Sequence, residues 1–431
     1  MKNFIKKHKK ILRSAAINLS IAVLLPAIIF FSFSWYNDPL RVAARERNAF
    51  INSLTREDFI YDVNYMLRVL EENFPSFEII YSRNGVDMHE KGRNIREYIE
   101  NPSNRMNFYR FWDVLHYDYF VHAFPVGHLR TVSTSERHWL LASTLEWVEA
   151  SPNDPFTVHF VNALDSPATR LAYPPLSPET MAAVEATFAP EGNLTKEIIQ
   201  EGQIAYLAVG SMLPSISDAE RAAIRDFYAE IADFEHLIID IRGNGGGWVH
   251  YFDELIARPL TTRETRIARF YHFMPYGDHN MDFMRAAEQT LLTRLRDTEF
   301  LEQYLHYTAE FERRFVQRHH VRGQWRSDFN GKIWMLIDGG VFSSSQIVAE
   351  FYKQTGFATF VGETTGGMVA APMGSNFFAL PNTGIIIRYD PTFVTNRYGR
   401  PLEYGTRPHH YNRPGMDALE TTLALIAEGG W

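Results

Sequence analysis

Two glycine-rich segments in the second half of the sequence are the first candidates for chemistry. Asp240-Ile-Arg-Gly-Asn-Gly-Gly-Gly247 directly follows the apolar run 236–240. Its glycines leave backbone N–H groups uncovered and permit positive φ angles. The segment fits a tight strand-to-helix turn, a phosphate cradle or an oxyanion hole made of backbone donors. A phosphate cradle is disfavoured because no Gly-Lys-Ser/Thr follows, and Trp248 stands where a dinucleotide-binding fingerprint has glycine.

The second segment, Asp338-Gly-Gly-Val-Phe-Ser-Ser-Ser-Gln346, places three serines at the start of a predicted helix. Free N–H groups and the helix dipole favour negative charge there, which suits a serine nucleophile. For an isolated run of serines, N-capping of the helix by Ser343, Ser344 or Ser345 is the simpler interpretation. A third motif, Gly362-Glu-Thr-Thr-Gly-Gly367, follows one helix and one strand later and favours the nucleophile.

A serine nucleophile requires a base, which is usually a histidine, and often a supporting carboxylate. Among the sixteen histidines, His128 stands out in Phe124-Pro-Val-Gly-His-Leu-Arg130, at the end of an aromatic helix. Glu403, in Arg400-Pro-Leu-Glu-Tyr-Gly405, is the candidate carboxylate, although its spacing alone would suit a surface acid. The sequence has no cysteine and no His-Glu-x-x-His, so neither a thiol nucleophile nor a metal site is predicted, and no cofactor is expected.

The elements around these motifs predict an α/β core with a partly parallel sheet, because strand and helix patterns alternate. Apolar runs predict strands at 203–209, 236–240, 332–338 and 357–361, and helical spacing predicts helices at 217–232 and 345–354. Further towards the N-terminus, Thr55 is expected to cap a helix that is followed by the aromatic helix 106–122. Between them and the core, alternation predicts a strand at 156–161, and 178–184 suits a helix.

The N-terminus predicts a membrane anchor. A block of basic residues within positions 2–13 precedes an uncharged, mostly apolar run at 14–36, close to the ~20 residues that span a bilayer. The positive-inside rule then places the rest of the chain outside the cytoplasm as a single-pass membrane protein. A cleaved signal peptide and secretion are the alternative. The net charge of −8, with no basic tract elsewhere, argues against nucleic-acid binding.

Together these motifs resemble the tail-specific (C-terminal-processing) serine peptidases and the tricorn core peptidase. Asp240-Ile-Arg-Gly-Asn-Gly-Gly246, Gly340-Val-Phe-Ser-Ser-Ser-Gln346 and Val361-Gly-Glu-Thr-Thr-Gly-Gly367 match their motifs in order and spacing. The resemblance implies Ser343 as nucleophile, with oxyanion donors at the N–H of Ser344 and of Gly245 or Gly246. It also implies a crotonase/ClpP-like ββα core.

The sequence departs from the family motifs at two positions, and the first of them selects a subtype. Met368 stands where tail-specific members have the catalytic lysine, so the resemblance points to the tricorn-like arrangement, with His128 as base and Glu403 near the end of the domain. Gly127 stands where the tricorn core has a serine before its histidine. No Gly-Leu-Gly-Phe-type loop is present between His128 and position 202, which implies that no intact PDZ domain lies there.

The predicted organisation is a cytoplasmic tip and anchor at 1–36, a linker at 37–54, a helical segment carrying the base at 55–135, an intermediate segment at 136–201 and a peptidase core at 202–431. The expected function is hydrolysis of peptide bonds in a peptide or protein substrate through an acyl-enzyme on Ser343. The alternatives are an inactive relative that binds peptides or envelope ligands, and a serine esterase or amidase acting on small substrates. The sequence gives no indication of the oligomeric state.

Overall fold

The computed structural model describes residues 38–150, 155–188, 192–261, 266–286, 293–294, 313–322, 327–367 and 374–429. The helices are α1 (Pro39–Ser53), α2 (Arg56–Asn73), α3 (Phe77–Asn84), α4 (Met88–Glu100), α5 (Phe108–Asp113), α6 (Thr134–Ala150), α7 (Pro155–Leu164), α8 (Pro167–Ala172), α9 (Pro178–Phe188), α10 (Asp218–Glu230), α11 (Val249–Tyr251), α12 (Arg258–Leu260), α13 (Asp278–Ala286), α14 (Ser344–Gln354) and α15 (Ala418–Ala427).

The strands are β1 (Arg130–Thr131), β2 (Leu194–Gln200), β3 (Ile204–Val209), β4 (His236–Asp240), β5 (Arg266–Met274), β6 (Thr293–Arg294), β7 (Arg313–Val321), β8 (Lys332–Ile337), β9 (Thr359–Gly362), β10 (Asn376–Ala379), β11 (Ile386–Tyr389), β12 (Phe393–Asn396) and β13 (His410–Tyr411).

A six-stranded sheet forms the centre of the second half of the chain. Its order is β13-β9-β8-β4-β3-β2, and all neighbours are parallel except β2 and β3. Every residue of β4 is buried, as expected for a parallel strand that is covered on both faces. The carboxyl ends of β4 and β8 lie side by side, with Asp240 opposite Leu336, so the loops that follow these two strands meet at one edge of the sheet.

A second layer joins the N-terminal helices to a hairpin from the end of the chain. Strands β10 and β11 form the hairpin, and β1 pairs antiparallel with β11, with Arg130 opposite Arg388. Asp62 of α2 is fully buried and accepts backbone hydrogen bonds from Asn382 (3.0 Å) and Thr383 (2.7 Å) in the hairpin turn. One apolar core includes residues of both parts, which fixes the hairpin against the helices. A separate antiparallel sheet has the order β12-β5-β7-β6.

Most of the predicted elements are present. The strands at β3, β4, β8 and β9 and the helices α10 and α14 confirm the α/β prediction for the core. Thr55 caps α2 in a reciprocal capping box with Asp58. The aromatic segment is helical, but it changes from α5 to a π-helical turn at Val114–Tyr119 and a 3₁₀ turn at Phe120–Ala123.

The strand predicted at 156–161 is wrong, because this segment lies in helix α7. Pro155 is the first described residue of this helix, and proline is tolerated at a helix start. Phe160, Ala163 and Leu164 face the core, and this is helical rather than alternating spacing. Alternation over six residues was therefore a chance match to the strand pattern.

The predicted anchor at 14–36 lies outside the described residues. In the part of the chain that the structure does describe, none of the helices has the length and apolar character needed to cross a bilayer. The predicted linker at 37–54 contains helix α1, whose Arg47 donates to the carbonyl of Ala172 and to the hydroxyl of Tyr109. Four helices, α6 to α9, fill most of the predicted intermediate segment.

Candidate active site

Ser343 lies at the turn between β8 and α14 in a backbone conformation that is unusual for serine. Its φ is 54° and its ψ is −122°, and it makes no side-chain cap to the helix. The capping interpretation therefore fails for this residue. A non-glycine residue at such φ is strained, and such strain is concentrated at functional sites. The backbone N–H of Ser343 donates to the carbonyl of Gly367 (3.2 Å), which ties the turn to the third glycine motif.

The other two serines of the run have structural partners. Ser344 Oγ donates to the Gly247 carbonyl at 2.5 Å, and Ser345 Oγ donates to Asn244 Oδ1 at 2.6 Å. Both bonds hold the first glycine motif against the start of α14. Of the three hydroxyls, the structure thus leaves that of Ser343 as the one not used to hold this loop.

The first glycine motif packs directly on the serine turn. A Cβ built on Gly246 would lie 2.9 Å from both Ser343 Cβ and Ser344 N. The N–H of Gly246 donates to Asn244 Oδ1 at 3.0 Å, so it is already engaged. Of the two glycines named as oxyanion donors from the sequence, this favours Gly245.

His128 is buried, with 4% of its surface exposed, at the end of a 3₁₀ turn formed by Val126–His128. The rings of Phe124 and Phe342 are 6.2 Å apart, which brings the turn that carries His128 towards the turn that carries Ser343. Burial lowers the pKa of His128, the Asp390 carboxylate raises it, and the nearby Arg388 lowers it again. The net direction is downward, so the imidazole is neutral near pH 7 and able to accept a proton.

Asp390 contacts His128, and the sequence did not predict this contact. Its Oδ2 lies 2.7 Å from His128 Nδ1, and only 1% of Asp390 is exposed. The backbone N–H of Asp390 also donates to the carbonyl of Gly127 at 2.7 Å. One signal in the sequence could have revealed it: Asp390 directly follows a mostly apolar run, much as Asp240 closes the apolar run before the first glycine motif.

Gly127 is required by its neighbours. Its φ is 60°, and an added Cβ would lie 2.5 Å from Cε2 of Phe74, which is itself buried. A serine before the histidine, as in the tricorn core, cannot fit here without moving Phe74. This accounts physically for the departure seen in the sequence.

Glu403 is buried, with 3% exposed, in the 3₁₀ turn Leu402–Tyr404. Its carbonyl accepts from Arg83 Nη1, and a Cβ built on Gly367 would lie 2.4 Å from that same carbonyl oxygen. The main chain of Glu403 therefore touches Gly367, the residue that receives the Ser343 N–H. Burial of this acid differs from the surface position that its spacing alone suggested.

A buried polar network joins α14 to the chain just beyond Glu403. Gln346 Nε2 donates to Thr406 Oγ1 (2.9 Å), Thr365 donates to Gln346 Oε1, and Thr406 donates to Glu350 Oε2 (2.6 Å). Gln346 thus uses both ends of its amide. The network fixes the helix that begins at Ser343 relative to the Glu403 turn.

Other predicted features fall elsewhere. Met368 lies outside the described residues. Among the residues that the structure describes, no group of three or more histidine, aspartate or glutamate side chains could hold a metal ion. A cavity of about 580 Å³ opens beside Arg130, Glu136 and Arg388, and His128 is not among its lining residues.

Comparison with known proteins identifies the domain. Residues 203–411 match the model of peptidase family S41. These residues form a peptidase family S41 domain. With this domain the chain is a serine peptidase, and the resemblance to tail-specific and tricorn core peptidases is confirmed. The S41 match contains Ser343, Asp390 and Glu403, whereas His128 lies before it.

Solved structures agree in fold. A candidate peptidase from Parabacteroides merdae ATCC 43184 is 15% identical, with 87% of this chain and 97% of that chain covered and a TM-score of 0.51. Mature CPAF complexed with lactacystin is 12% identical, with 83% and 94% covered and a TM-score of 0.50. These identities establish a shared fold alone. No curated protein matches the chain.

Proposed function

We propose that this S41 peptidase cleaves peptide bonds by acyl transfer, with Ser343 as the nucleophile and His128 as the general base. The observation that carries the proposal is a strained, uncapped serine at a helix start, on a turn whose Phe342 contacts Phe124 in the segment of a buried, carboxylate-held histidine. The S41 match over the surrounding domain supports it.

In the first half of the reaction, Ser343 Oγ attacks the substrate carbonyl and His128 Nε2 takes the hydroxyl proton. The imidazolium then returns that proton to the leaving amine, which departs and leaves an acyl-serine ester. In the second half, water gives a proton to the same histidine and attacks the ester, and the imidazolium returns that proton to Ser343 Oγ as the acid is released. A downward-shifted pKa keeps His128 neutral and ready for the first step.

Backbone donors stabilise the negative oxygen of the tetrahedral intermediates. Ser344 N–H stands in the first turn of α14, where intrahelical acceptors are lacking. Gly245 lies in the loop that packs on this turn through Gly246. Each well-placed donor of this kind contributes about 3–4 kcal/mol to catalysis.

Glu403 is proposed to support the site electrostatically from the Gly367 side, where its main chain touches the third glycine motif. The finer fold assignment, a crotonase/ClpP-like ββα core, is part of the same proposal. So are the anchor at 14–36 and the extracytoplasmic location of the peptidase domain, which follow from the basic block before an apolar run.

Labelling the purified full chain with a fluorescent fluorophosphonate tests the assignment of the nucleophile. We expect labelling of the wild type, none of Ser343→Ala, and a rate at least ~100-fold lower for His128→Ala. Ser344→Ala is the matched control, because it removes the neighbouring hydroxyl and should still label.

Cleavage of a fluorogenic casein by the same variants separates peptidase from the alternatives. Loss of both labelling and cleavage in Ser343→Ala supports the proposal. Labelling with hydrolysis of p-nitrophenyl acetate but no cleavage of casein or of a mixed peptide library would favour a small-substrate esterase. A folded wild type that neither labels nor cleaves would contradict the catalytic assignment and favour peptide binding.

A further inference from the structure

We propose that Asp390 is the residue that positions His128 for catalysis, and that Ser375 and Arg388 hold Asp390 in place. This inference rests on the proposed function of Ser343 and His128 and assigns a role that the family motifs did not indicate. It separates the part played by Asp390 from that of Glu403.

Asp390 contacts the imidazole ring of His128 directly. Asp390 Oδ2 is 2.7 Å from His128 Nδ1, and both side chains are buried. A carboxylate at this distance accepts the Nδ1–H and so selects the tautomer in which Nε2 carries the free lone pair. That lone pair is the one needed to take the proton of a serine hydroxyl. The same carboxylate stabilises the imidazolium once it forms.

Ser375 and Arg388 support the carboxylate of Asp390. Ser375 Oγ donates to Asp390 Oδ1 at 2.8 Å, so each carboxylate oxygen has its own partner. Arg388 Nε in turn donates to Ser375 Oγ at 2.9 Å, and Arg388 Nη1 donates to Glu136 Oε1 at 2.9 Å. Ser375 stands just before β10 and Asp390 just after β11, so the hairpin itself sets the carboxylate against the histidine.

Asp390 and Glu403 have different positions in the site. Nδ1 carries a single proton, and Asp390 is already its acceptor at 2.7 Å. Glu403 belongs to the turn whose main chain contacts Gly367, on the Ser343 side. Orientation of the base is therefore assigned to Asp390, and Glu403 keeps only an electrostatic role.

The charged groups near His128 set its pKa, so the pH dependence of activity reports on this arrangement. Burial lowers the pKa of His128, the Asp390 carboxylate raises it, and Arg388 and Arg130 lower it. Among the residues that the structure describes, these charged groups act on the imidazole, from the hairpin and from β1. Removing the carboxylate should move the acidic limb of kcat/KM to lower pH, and removing the Arg388 charge should move it to higher pH. A residue with only a structural role would not move this limb.

The test measures pH profiles of kcat/KM for the full chain on a fluorogenic peptide selected from the casein digest, with Asp390→Asn, Ser375→Ala and Arg388→Met. Asp390→Asn should lower kcat roughly 10³- to 10⁴-fold, as expected when the tautomer is no longer selected. Ser375→Ala should lower kcat roughly five- to tenfold, the effect of losing one hydrogen bond. The acidic limb of the kcat/KM profile should move to lower pH in Asp390→Asn and to higher pH in Arg388→Met.

Asp62→Asn is the matched control, because Asp62 is an equally buried aspartate that holds the turn of the same hairpin. It should lower the Tm but leave the pH limb in place. Wild-type kcat and an unmoved limb in Asp390→Asn would overturn the positioning role while leaving the function of Ser343 intact. If Asp390→Asn does not fold, Ser375→Ala decides, and an unchanged kcat in that variant overturns the proposal. A wild type that neither labels nor cleaves would overturn both proposals.

Discussion

Gly246 lies directly against Ser343, so that a Cβ built on the glycine would come within 2.9 Å of the serine Cβ and 2.8 Å of the Phe342 carbonyl oxygen. The φ of Gly246 is +102°, a conformation that L residues rarely adopt. The neighbouring Gly245 meets nothing within 4 Å and has no positive φ that requires glycine. Two adjacent glycines in one motif therefore have different reasons to be glycine.

Gly246→Ala should displace the Ser343 turn and lower kcat/KM at least ~100-fold, comparable to losing one oxyanion donor. Gly245→Ala keeps its N–H and meets no protein atom within 4 Å, so it should lower kcat/KM far less than Gly246→Ala. Steady-state kinetics and fluorophosphonate labelling of both variants provide the measurement. Equal losses in the two variants would show that the motif tolerates no side chain at either position, contrary to the packing described here.

Asp62→Asn tests how the N-terminal helices hold the hairpin. The substitution keeps the size of the side chain but turns one acceptor towards the N–H groups of Asn382 and Thr383 into a donor. An unsatisfied buried donor costs about 1–3 kcal/mol of unfolding free energy. Urea denaturation should report that loss with an unchanged m value. A variant as stable as the wild type would mean that the hairpin turn can reorganise freely.

Much of the core was predictable because its strands are continuous apolar runs that end in recognisable turns. Every residue of β4 is buried, and the strand leads straight into the first glycine motif. Local patterns of this kind specify both the element and the place where its side chains are available for chemistry. The same local patterns placed Ser343 at a helix start.

The His128–Asp390 contact was not predictable in the same way, because it depends on pairing between distant strands. The two residues are 262 positions apart, and β1 with β11 brings them together. β1 has only two residues, too few for a pattern to be seen in the sequence. Strand register is set by tertiary packing here, and no local propensity specifies it.

The histidines predict how stability depends on pH. Burial lowers the pKa of six described histidines: His122, His128, His138, His236, His279 and His409. An unfolded histidine takes a proton near its ordinary pKa of about 6.5, whereas these folded ones do so only at lower pH. The unfolded state therefore binds more protons in that window, and stability falls as the pH drops through it.

The Tm should consequently be highest above about pH 7 and decline towards pH 5, in low-salt buffer. His279→Gln should flatten this decline, because it removes one of the buried titrating rings while its amide can still reach the Tyr65 hydroxyl, 3.0 Å from the ring Nε2. Asp62 acts in the opposite direction, since burial raises its pKa above the ordinary value near 4. A Tm that rises between pH 7 and pH 5 would contradict this prediction.

The network around Gln346 gives the last prediction. Gln346→Glu would keep the acceptor for Thr365 but lose the donor to Thr406 and place a second carboxylate near Glu350. An uncompensated buried charge costs about 3–5 kcal/mol. Because protonation of one of the two acids relieves the repulsion, the stability gap to the wild type should narrow as the pH is lowered from 8 to 5.

Gln346→Met is the matched control, because it removes both hydrogen bonds without adding charge. It should destabilise the protein by about 1–3 kcal/mol, with a gap to the wild type that does not change with pH. Chemical denaturation at several pH values separates the two variants. If the loss in Gln346→Glu were as independent of pH as that in Gln346→Met, the cost would come from the broken amide contacts, and Glu350 would not sense a charge at position 346.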